Sequence, residues 1–181
     1  TVLMGVPTHY TRLLADARFD AALCSGTRLF TSGSDPMTEA THRAFTERTG
    51  HRVLERYGMT EAGMITSNPL DGERVPGTVG FPLPDVDVRV TGVDGRLLGP
   101  GETGSVEVRG PNLFAGYWKL PDLTAAEHTD DGWFVTGDVG HLDADGRLTL
   151  EGRAGDMIIS GGYNLYPKEI ELVLDEVPGV A

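Results

Sequence analysis

Apolar residues along this chain follow two different periods. Up to about residue 78, strand-like and helix-like stretches alternate. A helical spacing over 9–17 precedes Thr27-Arg28-Leu29-Phe30-Thr31, a β-rich run that ends in the small-residue turn Ser32-Gly33-Ser34-Asp35-Pro36. Thr38 then stands where a helix N-cap belongs. Met37, Thr41, Ala44, Phe45 and Arg48 fall on one face, and Gly50 makes a natural stop. A second strand is predicted over 51–57, closing at Gly58. Alternating strands and helices predict an α/β layer, with ligands at the strand ends.

From about Val79 the period falls to two. Val86, Val88 and Val90 alternate with Asp85, Asp87 and Arg89, and Asp94-Gly95 and Asp145-Gly146 have the chemistry of tight turns. Residues 79–151 are therefore predicted as an antiparallel, β-barrel-like unit. At Pro167 the helical period returns, with Ile170, Val173 and Leu174 on one face and Pro178-Gly179 as a stop. The expected organisation is an α/β part over 1–78, a β-rich part over 79–151, and a hinge with the opening of a smaller α+β unit over 152–181.

Composition narrows the function classes. The 181 residues include 25 glycines and 11 prolines, which suits many short elements joined by turns. A net charge of −12 repels nucleic-acid backbones, yet leaves room for a nucleotide site built from local donors. Cys24 is the single cysteine, so no intrachain disulfide forms within these residues. Lys119 and Lys168 are the only lysines. No apolar run has membrane-spanning length and no secretory signal is evident, so a soluble cytoplasmic setting is expected.

Four stretches carry chemistry. In Tyr57-Gly58-Met59-Thr60-Glu61, Gly58 permits a tight strand exit and Tyr57 offers a flat face to a base. Thr60 offers a hydroxyl and an N–H to phosphate, and Glu61 a carboxylate to a phosphate-bridging magnesium. Upstream, the Gly33-Ser34-Asp35 turn ends a neighbouring strand, and two such turns in one parallel sheet meet at one crevice. Downstream, Asp138 follows Thr136-Gly137 and suits the two hydroxyls of a ribose. Arg153 carries a planar fork for ribose or phosphate oxygens, and Gly161-Gly162 lets a ligand approach the backbone. Each stretch alone is equally a turn, an exposed carboxylate or a linker; their order is what distinguishes them.

In that order, together with Gly104-Ser105-Val106-Glu107-Val108-Arg109-Gly110 and Gly116-Tyr117-Trp118, these stretches resemble the nucleotide-site motifs of the adenylate-forming enzymes. That group includes acyl-CoA synthetases, luciferase-like enzymes and peptide-synthetase adenylation domains, and the resemblance covers nearly the whole chain. It implies that a carboxylate attacks the α-phosphate of ATP, and that a thiol, often that of CoA, then displaces AMP. Thr60 and Glu61 take the catalytic roles, Glu61 with Mg2+. The ATP and AMP contacts fall to Gly33, Ser34, Asp35, Glu55, Arg56, Tyr57, Gly58, Met59, Thr60, Asp138 and Arg153.

Gly155 and Asp156 stand at the hinge, where members usually have Asp or Lys in the place of Gly155. Ser160, Gly161 and Gly162 face the thiol. The phosphate loop and the C-terminal lysine of complete members are absent, so this chain is expected to hold part of a site and not to complete adenylation alone.

The stretches around 55–61, 66–69, 71–74 and 77–84 look most like those of malonyl-CoA synthetases. By that resemblance Thr8, Met64 and Arg74 line the acid pocket, with Arg74 pairing the distal carboxylate. In several such enzymes the arginine stands at the place of Val75, so a monocarboxylic or fatty acid remains open. An adenylation unit loading a carrier-protein thiol and a non-catalytic nucleotide-binding module are the other readings.

Overall fold

The computed structural model describes residues 1–160, 163–175 and 177. The chain divides into two compact units, Thr1–Pro84 and Asp85–Ala181. The first holds β1 (Val2–Gly5), α1 (Pro7–Ala15), α2 (Ala21–Cys24), β2 (Leu29–Ser32), α3 (Glu39–Thr49), β3 (Leu54–Met59), β4 (Gly63–Ser67) and β5 (Phe81–Pro82). These strands form one five-stranded sheet in the order β1-β2-β3-β4-β5. The first three run parallel, and β4 and β5 add antiparallel. The sheet is therefore mixed. The expected α/β alternation holds for its parallel part, and a hairpin completes it. Phe81–Pro82 pairs with β4 and so belongs to this sheet.

The core of the unit gathers Tyr10, Phe19, Cys24, Phe30, Met37, Phe45 and Val53. Phe45 of α3 is its centre, edge-on to Tyr10 at 5.1 Å and to Phe30 at 5.0 Å between ring centroids. The Tyr10 hydroxyl donates to the Thr31 carbonyl at 2.7 Å, and burial pushes its phenol pKa well up. The caps of α3 are those predicted. The Thr38 hydroxyl accepts from the Thr41 N–H, and Gly50 closes the helix at φ 74°.

The buried face of α3 differs from the expected one. Met37 and Phe45 are buried, but the other inward positions are His42 and Thr49, while Ala44 and Arg48 are exposed. Both polar residues are satisfied locally. The Thr49 hydroxyl donates to the Phe45 carbonyl at 2.7 Å, and His42 Nε2 lies 3.1 Å from the Val53 carbonyl. A hydrogen-bonded polar side chain tolerates burial, and apolar periodicity does not register it.

In the second unit, β6 (Asp87–Thr91), β7 (Gly104–Arg109), β8 (Phe134–Leu142) and β9 (Leu148–Arg153) form an antiparallel sheet in sequence order. β6 and β9 are its edges, so the barrel-like closure expected from the sequence is replaced by an open four-stranded meander. Both predicted turns are present, with Gly95 at φ 76° and Gly146 at φ 86°. Val106 and Val108 point into the core with Val90, Phe134 and Leu148.

Glu107 points to the other face and is 5% exposed. It accepts from Arg89 at 2.6 Å and from the Thr91 hydroxyl at 2.7 Å. Arg89 also holds Asp131 through two bonds, which keeps that carboxyl down at about 2. The guanidinium carbons of Arg89 and Arg109 each lie 4.4 Å from the Trp133 ring centroid.

The unit also contains α4 (Pro121–Ala126), a 3₁₀ turn (Ala154–Asp156), the antiparallel pair β10 (Ile158–Ser160) and β11 (Tyr163–Leu165), and α5 (Pro167–Asp175). α5 begins at the predicted proline. Ile170, Val173 and Leu174 are exposed on it. Pro178 and Gly179 lie outside the described residues.

His42 yields a pH prediction. Burial, with smaller contributions from Arg52 and Arg74, lowers its pKa below the ordinary 6.5, against the raising effect of the Val53 bond. The folded state therefore binds this proton less readily than the unfolded chain. Stability from a neutral His42 is complete above about pH 6.5 and is lost as pH falls below it. The melting temperature should decline between about pH 7 and pH 5, and His42→Gln should flatten that decline. Equal slopes for parent and variant would contradict this assignment.

Candidate functional site

The Tyr57–Glu61 stretch is a β-hairpin rather than a strand followed by a loop. β3 continues through Met59, residues 60–62 turn, and β4 returns antiparallel from Gly63 at φ 61°. The register slips between Tyr57 and Gly58. A side-chain carbon on Gly58 would run into the Gly63 carbonyl and stand 2.6 Å from Met64 Cε. Gly58 is thus required by the closeness of the returning strand, which corrects the tight-exit role expected of it. Thr60 is exposed at the tip, Glu61 is half-buried, and Tyr57 is 7% exposed.

The upstream turn lies against β3 at Arg56, ahead of the hairpin turn that it was expected to meet. β2 and β3 are parallel with Ser32 opposite Glu55. A carbon on Gly33 would lie 3.1 Å from the Arg56 carbonyl, so a side chain there would require the neighbouring strand to give by a few tenths of an ångström. Ser34 follows in the left-handed region at φ 70°, with Asp35 exposed beyond it. One Arg56 guanidinium nitrogen lies 3.5 Å from the Met4 sulfur.

Glu55 is 3% exposed. Its carboxylate accepts N–H groups from Met37 at 3.4 Å and Gly77 at 3.3 Å. It braces the loops on either side of β3, a supporting task that its expected place among the ATP contacts did not convey. Asn68, 2% exposed, is its counterpart and was not singled out in the sequence. Its amide nitrogen donates to the Glu55 and Thr78 carbonyls, and its oxygen accepts from the Val75 N–H. The Thr66 hydroxyl holds the Val79 carbonyl at 2.8 Å. The signal available was a polar Asn-Pro step directly after a strand, flanking a glycine-rich segment.

The three acid-pocket residues are placed differently. Met64 is 40% exposed and lies against Gly58. Thr8 is exposed in the first turn of α1. Arg74 lies in the loop after β4, where its guanidinium donates to the carbonyls of Arg52 at 2.6 Å, Leu70 at 2.7 Å and Pro69 at 3.1 Å. The cavity it lines includes neither Thr8, Met64 nor any hairpin residue.

In the second unit, Asp138 and Arg153 are direct partners. They face each other across β8 and β9, with Arg153 Nε 3.0 Å from an Asp138 carboxylate oxygen. Asp138 is 8% exposed, and the Arg153 side chain is 58% exposed. Thr136 anchors this strand end: its hydroxyl donates to the Val106 carbonyl and accepts from the Asp138 N–H. Gly137 takes φ 74° between them. Gly155 and Asp156 lie in the exposed 3₁₀ turn, and a carbon added at Gly155 meets nothing within 4 Å. Ser160 contributes backbone to β10, and Gly161 and Gly162 lie outside the described residues.

No group of three or more His, Cys, Asp or Glu among the described residues makes a metal cage. The half-buried Glu61 carboxylate at the hairpin fits a magnesium carried in by a nucleotide, which keeps waters and phosphate oxygens as its other ligands. Among the described residues no helix is long and apolar enough to cross a membrane.

Residues 1–118 match the AMP-binding enzyme family. The chain belongs to that family. Within it, the chain is 43% identical to the malonate–CoA ligase of Arabidopsis thaliana, covering 100% of this chain and 31% of the relative. It superposes on ATP-bound MatB from Rhodopseudomonas palustris with a TM-score of 0.97 at 54% identity, over 100% of this chain and 36% of that one. A malonyl-CoA ligase in a ternary product complex with methylmalonyl-CoA and AMP gives 0.77 at 47% identity, over 98% and 39%. The chain thus spans about a third of the length of these AMP-binding relatives.

The buried brace can be tested directly. Glu55→Gln keeps the shape but turns an amide NH2 towards one of the two N–H groups, which then loses its acceptor. The expected loss is about 1–3 kcal/mol, measured by urea unfolding. A change within error would show that the brace is dispensable.

Proposed function

We propose that this chain is part of an ATP-dependent acid–CoA ligase that activates malonate or a short substituted malonate and acts in the cytoplasm. The observation that carries this reading is the end-to-end match to ATP-bound MatB at 54% identity.

In the first half-reaction a carboxylate oxygen of the acid bonds to the α-phosphorus of ATP, and the bond to pyrophosphate breaks. In the second, the CoA sulfur bonds to the acyl carbon and AMP leaves. Thr60, exposed at the hairpin tip, donates to phosphate, and Glu61 holds the magnesium of Mg–ATP. The Gly33–Ser34 turn and the exposed margin of Tyr57 receive adenine. Asp138 accepts the ribose hydroxyls with its position set by Arg153, and the ion pair already made keeps the carboxylate charged and aimed. Residues 152–181 open the small C-terminal domain, Gly155-Asp156 act as its hinge, and Ser160 with Gly161-Gly162 approaches the thiol.

One observation favours a second reading, a monocarboxylic acid. A distal carboxylate needs a cation, and Arg74 is engaged by three carbonyls in a cavity apart from Met64. A panel of malonate, acetate, propionate and longer acids with the full-length protein, read as AMP release, separates the two. Malonate should exceed acetate in kcat/KM by at least about tenfold, and a preference for acetate would overturn the malonate reading. Arg74→Ala should lower the melting temperature and leave the malonate-to-acetate ratio unchanged. A collapse of that ratio would make Arg74 the clamp.

Asp138→Ala tests the ribose assignment. The dissociation constant for AMP, by calorimetry on the full-length protein, should rise about tenfold or more. Unchanged affinity would remove Asp138 from the nucleotide site.

A further inference from the structure

The cavity that holds Arg74 has its own chemistry. Its volume is about 260 Å³, and its walls come from α3, from Arg52, and from the loop carrying Glu73 and Arg74. It shares no residue with the nucleotide hairpin or with the Gly33 turn. Three guanidinium groups line it, those of Arg43, Arg52 and Arg74, against the two carboxylates of Glu39 and Glu73. In a chain of net charge −12, a cavity with cations in excess runs against the composition.

Arg74 is the fixed element. Its three carbonyl partners at 2.6, 2.7 and 3.1 Å hold the guanidinium rigid while leaving its charge uncompensated by them. A guanidinium has five N–H donors, so two remain. Burial lowers the Arg74 pKa, and the neighbouring Arg52 lowers it further against the opposing pull of Asp71. Like charges held together and partly out of water are a cost that a bound anion relieves. Arg43 lies on the helix wall, and its pair with Glu39 is long and exposed, 3.9 Å with side chains 71% and 69% accessible. Such a pair is worth little and opens readily. His42, buried beside them, lies with Nε2 3.1 Å from the Val53 carbonyl, and burial lowers its pKa.

We propose that the cavity between α3 and the 73–76 loop, lined by Arg43, Arg52 and the immobilised Arg74, is a second anion site that takes a phosphate group. The volume lies below that of drug-sized pockets and suits one tetrahedral oxyanion with a few waters. Arg74 supplies the preorganised fork, and Arg52 and Arg43 close on the remaining oxygens. The phosphate comes either free in solution or as the ester of a nucleotide, and the chemistry recognised is the same.

The test uses the full-length protein with its nucleotide site saturated by AMP, titrated by calorimetry with inorganic phosphate in one arm and adenosine 3′,5′-bisphosphate in the other. Millimolar or tighter binding in either arm is expected, and the tighter arm names the source. Arg52→Gln and Arg43→Gln are surface changes that leave the three carbonyl bonds of Arg74 in place. Each should weaken binding about tenfold, while Glu39→Gln should strengthen it. No heat above dilution in both arms overturns the proposal, as does binding that both arginine variants leave unchanged.

Discussion

The first unit turns on a buried carboxylate. Glu55 lies in the parallel strand β3, 3% exposed, where an uncompensated charge would cost several kcal/mol. It is tolerable because backbone N–H groups reach it from Met37, just ahead of the α3 cap, and from Gly77 in the loop before β5. Those contacts join segments 18 and 22 residues away in sequence. Asn68 then welds the far end of the hairpin to the same strand. At the hairpin tip Thr60 is exposed and Glu61 half-buried, but the base is fixed on three sides. In the proposed function this anchoring gives the turn precision, because residues that touch ligand need not also hold the fold.

That division of labour explains what the sequence disclosed. The caps of α3 were legible because Thr38 and Gly50 act within a few residues of themselves. The two Asp-Gly turns were legible for the same reason. The meeting of the Gly33 turn with β3 followed from the rule that parallel strands present their ends together. What stayed hidden depends on distant partners. His42 and Thr49 read as surface residues until the Val53 and Phe45 carbonyls are placed beside them. Gly58 reads as a turn glycine until Gly63 folds back against it. Arg74 reads as a free cation until three carbonyls close around it.

The second unit makes the same point with opposite means. Its inner face follows the alternating valines closely, so the strands were predictable. Its other face is a cross-strand network in which Glu107 receives Arg89 and Thr91 while Arg89 reaches Asp131. Trp133 lies against two guanidinium groups within that network. No periodicity announces it, because charged residues on an outer strand face are the ordinary expectation. Arg89, only 22% exposed by its side chain, is a framework residue in a place where sequence pattern implies solvent. The open meander instead of a barrel has a similar origin: alternation fixes which face is buried, and closure depends on what the edge strands pair with.

Asp138 and Arg153 show how such a frame presents a charged pair at a strand end. Their partnership is set by the β8–β9 register, with Thr136 holding the strand end and Gly137 turning it. The carboxylate is nearly buried, and the arginine is more than half exposed. That asymmetry has a consequence. The guanidinium offsets part of the cost of burying that carboxylate, so Arg153 serves the fold at this strand end as well as any ligand. Arg153 stands immediately before the exposed turn that carries Gly155 and Asp156. Gly155 needs no glycine for space or for φ, since an added carbon meets nothing there. Its value in the proposed hinge is the freedom to take up other backbone conformations as the following segment turns.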